Sequence, residues 1–453
     1  MIGTLFNSLA TLLVGLSLWA MTHSPVGWRT DGTGLYQGVM PPTEWSEDKN
    51  IAWKVKLPGR SQGSPIVVDQ RVFVVSDPAE LLCLRATDGE ILWRTSCDLP
   101  TFFGDEKAKQ IAADFKRLRI ARDLIQQELG KIKDAPDEER AAKERLAEAN
   151  KQLNELTARL PAPPGDAFRE TTNSAPTPIS DGKHVYAAFG NGMVCAFTVT
   201  GEQRWGRFVQ GPTIGFGHCS SPLLADGKLI IHYNDILALD CNTGEVLWQT
   251  PLAPTHGSPI MTELSGTRLL VSPSGAVVRC NDGKVLLRDN SLLSSECSPV
   301  MHDGVLYSCS DSNITAAKMV STGVDAVKLE KLWRGKIAGG RRTPSPVCHQ
   351  GRVYCVNTDG ILDVVDASTG KATYKKRLNL GAVYSSTTAA GDYLFASGTN
   401  GETVVIAAGD EYREVARSKL EGFGSSPVFA GRRMLVRTQQ HLYCIEQPGS
   451  GNK

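Results

Sequence analysis

The chain reads as an all-β protein, an eight-bladed β-propeller with an inserted α-helical hairpin. Three observations predict this. First, a Ser-Pro pair or a close variant recurs at Pro65, Pro178, Pro222, Pro259, Pro299, Pro346 and Pro427, with Thr387 in the Pro place of Ser385-Ser386-Thr387. From Pro178 onward the intervals are 44, 37, 40, 47, 41 and 40 residues, the period of a four-stranded propeller blade. Second, a closing aromatic recurs at Trp53, Trp93, Trp205, Trp248 and Trp333, weakened to Tyr374, with Leu287 and Val415 in the two degenerate units. Third, the clearest unit, 221–248, holds short alternating apolar runs separated by tight turns at Asp226-Gly227 and Thr243-Gly244, the pattern of an antiparallel meander. One such sheet has two apolar faces and needs copies of itself to bury them.

The two markers are offset, and the offset predicts how the ring closes. Trp53 precedes the first Ser-Pro, whereas the last unit, from Ser426 through Ile445, has no Trp strand of its own. The N-terminal strand is therefore expected to complete the last blade and leave no open edge.

The segment Ala238-Leu239-Asp240-Cys241-Asn242-Thr243-Gly244-Glu245-Val246-Leu247-Trp248 resembles the repeat motif of the pyrroloquinoline-quinone-like (PQQ-like) propeller family. Asp366, Thr369, Gly370 and Tyr374 keep part of the motif, and Gly89 with Trp93 keep less. The opening Trp28-Arg29-Thr30-Asp31-Gly32-Thr33-Gly34, with Trp45 and Trp53 after it, is similar to the start of bacterial extracytoplasmic members. The resemblance implies that each motif Trp packs on the glycine turn of the neighbouring blade. It is nearer to the propeller lipoprotein of the outer-membrane assembly machinery than to the quinoprotein alcohol dehydrogenases. Fold alone does not set function.

Composition narrows the function classes. Lys+Arg number 49 against 48 Asp+Glu, a net charge of +1, so no overall field draws nucleic acid. Residues 5–21 are almost wholly apolar, which makes 1–23 a signal peptide or a membrane anchor. A periplasmic or otherwise extracytoplasmic location, secreted or N-terminally anchored, follows from that expectation, with membrane association only through 5–21. Eleven cysteines cannot all pair within one chain. Cys83, Cys195 and Cys444 fall at one strand position in three units, and Cys348 and Cys355 flank the Gly351 turn as if to face each other across a hairpin.

The propeller is expected over 28–102 and 165–448, interrupted by an insertion at 105–160. The insertion has 13 Lys+Arg and 12 Asp+Glu among its 56 residues, about twice the charged fraction of the whole chain. Ile111, Phe115, Leu118, Arg122, Ile125, Leu129 and Ile132 alternate four and three apart, as do Leu146, Ala149, Leu153, Leu156 and Leu160. Those are heptad seams on two helices of a coiled-coil hairpin, turning at Asp134-Ala135-Pro136-Asp137. The hairpin satisfies itself, or it is an arm that docks a partner or a second copy.

Connections from an outer strand to the next inner strand lie where a propeller's channel opens. Three residues before each marker stand Gln62, Ala175, Cys219, His256, Glu296, Thr343, Tyr384 and Gly424, with Asn173, His218, Arg341, Arg342 and Phe423 nearby. Gln62, Asn173, His218, His256, Glu296, Arg341, Arg342 and Tyr384 are the candidate binding residues of this ring, suited to a small-molecule or peptide pocket. Trp53, Trp93, Trp205, Asp240, Gly244, Trp248, Trp333, Asp366 and Gly370 are the structural repeat residues, the aspartates serving their own turns.

No catalytic residue is expected: the sequence has no nucleophile elbow, phosphate-binding glycine loop or zinc-protease helix motif. His218, Cys219, His256 and Glu296 lack metal-ligand spacing, so no metal is expected. PQQ with calcium is the alternative, and two features argue against it. The dehydrogenases carry a disulfide between adjacent cysteines, which this chain lacks, and Glu296 is the one carboxylate at the three-before position. The sequence thus predicts a non-catalytic, cofactor-free scaffold that binds a protein or peptide partner in the cell envelope. A quinoprotein-type oxidoreductase is the alternative.

Overall fold

A computed structural model describes residues 24–163, 172–294, 296–323 and 325–447. The expected signal peptide or anchor lies outside them. Among the described residues no helix is long and apolar enough to cross a membrane.

Eight antiparallel sheets form an eight-bladed β-propeller. Blades 1 to 7 span 66–96, 179–208, 223–250, 260–293, 300–336, 347–377 and 388–419. Blade 8 combines three C-terminal strands, the last being His441–Glu446, with the N-terminal strand Ile51–Lys56 as its outer strand. Trp53 pairs with Cys444 across that junction, so the ring closes as the marker offset predicts.

The repeat motif works through close approach. Trp205 of blade 2 lies against Gly244 of blade 3, where an added Cβ would come within 2.6 Å of Cε3. Gly244 also has φ +70°, so a side chain there is excluded by both space and backbone. Trp53, Trp93, Trp248 and Trp333 pack in the same way on Gly89, Gly201, Gly283 and Gly370 of the following blade. Each indole N–H donates to a carbonyl of that blade, at Ala86, Val199, Cys241, Cys280 and Ala367. Asp240 and Asp366 accept backbone N–H bonds from their own turns, at Asn242 and Thr243 and at Ser368 and Thr369.

Both degenerate units are repaired from elsewhere in the chain. In blade 4, Leu287 stands in the Trp place. The next blade lengthens its outer hairpin to Asn313–Gly323 and Ala326–Lys336, and brings Met319, Val327 and Leu329 against Leu286 and Leu287. Arg279 and Lys284 then pair with Asp325 near the hairpin tip. In blade 7 the expected Val415 is the bulged residue and Ala416, opposite Val405, stands in the Trp place; Trp45 packs in the cluster beside it, 3% exposed and stacked on Phe395 at 6.4 Å between centroids. Tyr374 meets Tyr412 of the next blade edge-on.

Two cysteine expectations are corrected. Cys83 and Cys444 lie opposite Trp93 and Trp53, but Cys195 sits one residue earlier on its strand, opposite Gly206, with Ala196 facing Trp205. Cys348 pairs with Val353, while Cys355 pairs with Asp363 on the next strand, so the two thiols do not face each other.

Between blades 1 and 2 the chain forms α1 (Leu99–Phe103), α2 (Asp105–Leu129) and α3 (Pro136–Arg159). α2 and α3 form an antiparallel hairpin, with Ile111, Phe115, Leu153, Leu156 and Leu160 against Leu99, Phe103 and Ala162 at its root. Arg145 pairs with Glu128 nearer the turn. At 1.5 Å per residue the arm reaches roughly 35 Å. Its outer part exposes Ile120 and Leu124, 50% and 60% accessible.

Candidate functional site at the channel mouth

The Ser of each Ser-Pro marker builds the floor of the site. Ser64, Thr177, Ser221, Ser258, Ser298, Ser345, Ser386 and Ser426 stand one to a blade, and each backbone N–H donates to the hydroxyl of the next. Around the ring the eight bonds measure 3.1, 3.0, 2.9, 2.8, 3.0, 3.1, 2.9 and 3.0 Å, the last joining Ser426 N to Ser64 Oγ. All eight side chains are buried. A strand start facing an axial channel has no ladder partner for its N–H, and the neighbouring hydroxyl supplies one. Proline follows because its ring fixes an extended entry to the inner strand and, lacking an N–H, needs no further acceptor.

The channel is closed below this ring by the N-terminal segment. Val26 bridges Ser180 of blade 2, Leu35–Tyr36 adds a parallel strand to the inner edge of blade 7, and Met40 N donates to Gly431 O of blade 8. Arg29 sits fully buried in the axle, its Nη2 donating to Pro346 O and Thr387 O at 2.8 Å each. Burial lowers its guanidinium to about 10. Gly34 leaves the space that guanidinium occupies. Trp28, beside it, reaches the cup that remains above.

That cup encloses about 160 Å³. All eight residues three before the markers line it, together with Trp28, Phe216, Arg341 and the eight hydroxyl residues. Gln62, His256, Glu296, Arg341 and Tyr384 are therefore brought together. Arg341 Nε donates to both oxygens of Glu296, at 2.9 and 2.8 Å, and Thr343 Oγ1 donates to Oε2 at 2.8 Å. The Arg341 guanidinium lies 5.9 Å from the ring centres of both Phe216 and Tyr384. Phe216 meets His256 edge-on at 5.8 Å.

The electrostatics follow from these contacts. Burial alone would raise the Glu296 carboxyl, but the bonds from Arg341 and Thr343 and the nearby positive charges hold it below its usual range. Burial keeps His256 below the usual imidazole value, against the pull of Glu296. At neutral pH the cup thus offers one internally matched ion pair, a neutral imidazole, three aromatic faces and a hydroxyl floor.

Asn173, His218 and Arg342, grouped with the ring in the sequence, do not line the cup. Asn173 donates to Pro78 O and accepts from Asn191 N, stapling two loops. His218 stacks on Tyr233 at 3.8 Å and bonds Gln210 O through Nε2, and burial pulls it down to about 3. Arg342 is 4% exposed and donates to Ala338 O. Each is next to, or two from, a lining residue, and the extended backbone sends alternate side chains into the wall. Phe216 and Trp28 are site residues the repeat period misses. Phe216 lies in a non-repeating loop at φ +75°, and Trp28 arrives by a fold-back of the N-terminal segment.

The donor set does not fit calcium with a quinone. Among the described residues Glu296 is the single carboxylate lining the cup, and both its oxygens are held by Arg341 and Thr343. Ca²⁺ takes six to eight oxygen ligands, several of them carboxylate. Cys219 is the one cysteine among the lining residues, with no adjacent partner.

The helical arm rises from the same face as the cup. In each blade the inner strand starts at the cup, so the connection between second and third strands and the connection to the next blade fall on the cup side. Ala162, just after α3, accepts from Asn191 Nδ2 in the first kind of connection of blade 2. Gly211, in the second kind, leaves no space for a side chain beside Thr157 of α3.

The PQQ_2 family model, described as outer membrane protein assembly factor BamB, matches residues 43–106 and 232–450, more than half of the chain. The curated outer membrane protein assembly factor BamB of Yersinia pestis is 22% identical over 283 residues, covering 57% of this chain and 68% of that protein. Among solved structures, BamB from Moraxella catarrhalis superposes with a TM-score of 0.58 at 12% identity, over 88% of this chain and 98% of that one. The quinohemoprotein alcohol dehydrogenase from Comamonas testosteroni gives 0.56 at 11% identity, over 94% and 82%. At such identities these two structures speak to the fold alone.

Proposed function

The chain belongs to the family of the outer membrane protein assembly factor BamB, and from that premise we propose that it is a non-catalytic, extracytoplasmic scaffold that holds a protein or peptide partner in the cell envelope. One observation carries the reading. Eight blades each contribute the residue three before the marker to a single polar and aromatic cup, and the cup shares its face with a projecting helical arm. A partner seated on that face touches both. Tyr384 and Arg341 are the anchors, because binding energy concentrates in aromatic and Arg side chains set in pockets. The Glu296 carboxylate is already held by Arg341 and Thr343, so it is not free to act as a base.

The test is a Tyr384→Ala/Arg341→Ala double variant, cross-linked in the native envelope. It keeps the wild-type melting temperature and loses most partner recovery, while Lys228→Ala, in a turn on the opposite face, recovers partners like wild type. Equal recovery by the two variants refutes a binding role for the cup.

A further inference from the structure

Under the cup, where blades 5 and 6 meet, three cysteines come together. Cys297 precedes the inner strand of blade 5, Cys309 ends its second strand, Val305–Cys309, and Cys355 lies on the second strand of blade 6, Arg352–Val356. Each is at most 2% exposed, and all three share one apolar cluster with Val300, Ile314 and Val353. The sulfurs of Cys309 and Cys355, which are 46 residues apart in sequence, stand 3.5 Å from each other. Cys297 also lies beside Cys309, with its thiol turned to the carbonyl of Ser298 at 3.6 Å.

A second observation marks this cluster as more than core filler. Arg342 is 4% exposed, and its Nε and Nη1 have no hydrogen-bond partner. Its charge bears on all three thiols. Arg29, from the axle side, is 1% exposed, also leaves Nε and Nη1 without partners, and bears on Cys297. Among the described residues neither guanidinium makes an ion pair, although the exposed Asp31 carboxylate acts on Arg29 from a distance. A buried cation without a counter-charge is costly, and a thiolate is the anion this cluster can form. The neighbouring Cys297 and Cys355 thiols, and then the Arg342 charge, hold the Cys309 thiol below its ordinary value against the opposing effect of burial.

We propose that Cys309 and Cys355 are an oxidation site, a thiol pair that closes into a disulfide clamping blade 5 to blade 6 when it meets a small disulfide oxidant. The thiolate of Cys309 attacks one sulfur of the oxidant, whose S–S bond breaks and releases one thiol that takes up a proton. Cys355 then loses its proton and attacks the Cys309 sulfur of the mixed disulfide, releasing the second thiol of the oxidant. Two protein thiols thus give up two protons and two electrons, and one oxidant disulfide becomes two thiols. The pair is sealed in the closed ring. Reaction therefore belongs to the folding chain, before blades 5 and 6 have docked, or to a transient opening between them.

The full chain is refolded from denaturant with either oxidised or reduced glutathione, free thiols are alkylated, and the digest is read by mass spectrometry without reduction. The expected product with oxidised glutathione is one linked pair of peptides carrying Cys309 and Cys355, two hydrogens lighter than the sum of the free peptides. The reduced arm gives both peptides alkylated. The oxidised protein should also have a higher urea midpoint than the reduced one. That rise should disappear in Cys355→Ser and persist in Cys348→Ser, whose cysteine lies in the same cluster. If Cys355→Ser does not fold, the wild-type peptide map still decides. A map with both cysteines alkylated after oxidative refolding, or with Cys309 linked to Cys297, overturns the proposal.

Discussion

Replacing Ser258 isolates what the hydroxyl ring contributes to the propeller. Its Oγ accepts the Ser221 N–H at 2.9 Å, and both residues are about 95% buried. Threonine already holds the equivalent place in blade 2, where Thr177 Oγ1 accepts from Ser64 N. Ser258→Thr should therefore keep the bond and nearly all the stability. Ser258→Val has the same shape as the threonine variant but no oxygen, so it leaves the Ser221 N–H unpaired. An unsatisfied buried donor costs about 1–3 kcal/mol, toward the lower end where water from the cup reaches it. For about 400 ordered residues at roughly 2.1 cal/mol/K each, 2 kcal/mol moves a melting temperature by only about 2–3 °C. Urea titration is the sharper assay, followed by tryptophan fluorescence and by circular dichroism, with coincident curves as the condition for converting midpoints into free energies. The valine variant is expected to lose about 1–2 kcal/mol relative to the threonine variant. Two variants equal within about 0.3 kcal/mol would refute the structural role of the ring, since serine would then stand before each proline for some other reason.

Two further predictions rest on buried groups. His218 and His232 are pulled by burial to about 3 and about 4, below the value near 6.5 of an unfolded imidazole. Their contribution is complete above pH 6.5 and is lost as pH falls from there toward pH 4 and 3, because the unfolded chain takes up protons the fold refuses. Between pH 6.5 and 5.0 the pair withdraws about 3–4 kcal/mol. In urea unfolding, His218→Phe should lose about half as much of that difference, and an unchanged pH slope would contradict the burial account. Trp45→Ala removes the side chain that stands in for the missing Trp of blade 7. It should cost about 3–5 kcal/mol, far more than an exposed substitution such as Met40→Ala, as read from urea midpoints.

The repeat period carried most of what could be read without coordinates. Eight markers at a near-constant interval set eight equivalent strand starts, so the position three before each marker could be named, and every one lines the cup. Period alone does not say which of two adjacent residues turns inward. Arg341 points into the cup and Arg342 into the wall, and Cys219 and His218 divide in the same way. The floor was half visible: proline was legible as punctuation, but the bonds made by the preceding hydroxyl appear only once eight blades are closed into a ring. The N-terminal plug has no periodicity, and its partners lie in blades 2, 6, 7 and 8, up to 391 residues away. The 47-residue interval between Pro299 and Pro346 did mark something extra in blade 5. That it covers the degenerate face of blade 4 needed the pairing of its long hairpin.

The central claim is that one partner spans cup and arm, and site-specific photo-cross-linking tests it most directly. A photoreactive residue is placed at Phe216 on the cup rim, at Leu124 on the arm, or at Lys228 on the opposite face, and each protein is irradiated in the native envelope. Phe216 and Leu124 are 36% and 60% exposed, so both can report contact. The account predicts that the rim and arm positions trap the same partner and that Lys228 does not. Different partners at rim and arm, or equal trapping from Lys228, would contradict it.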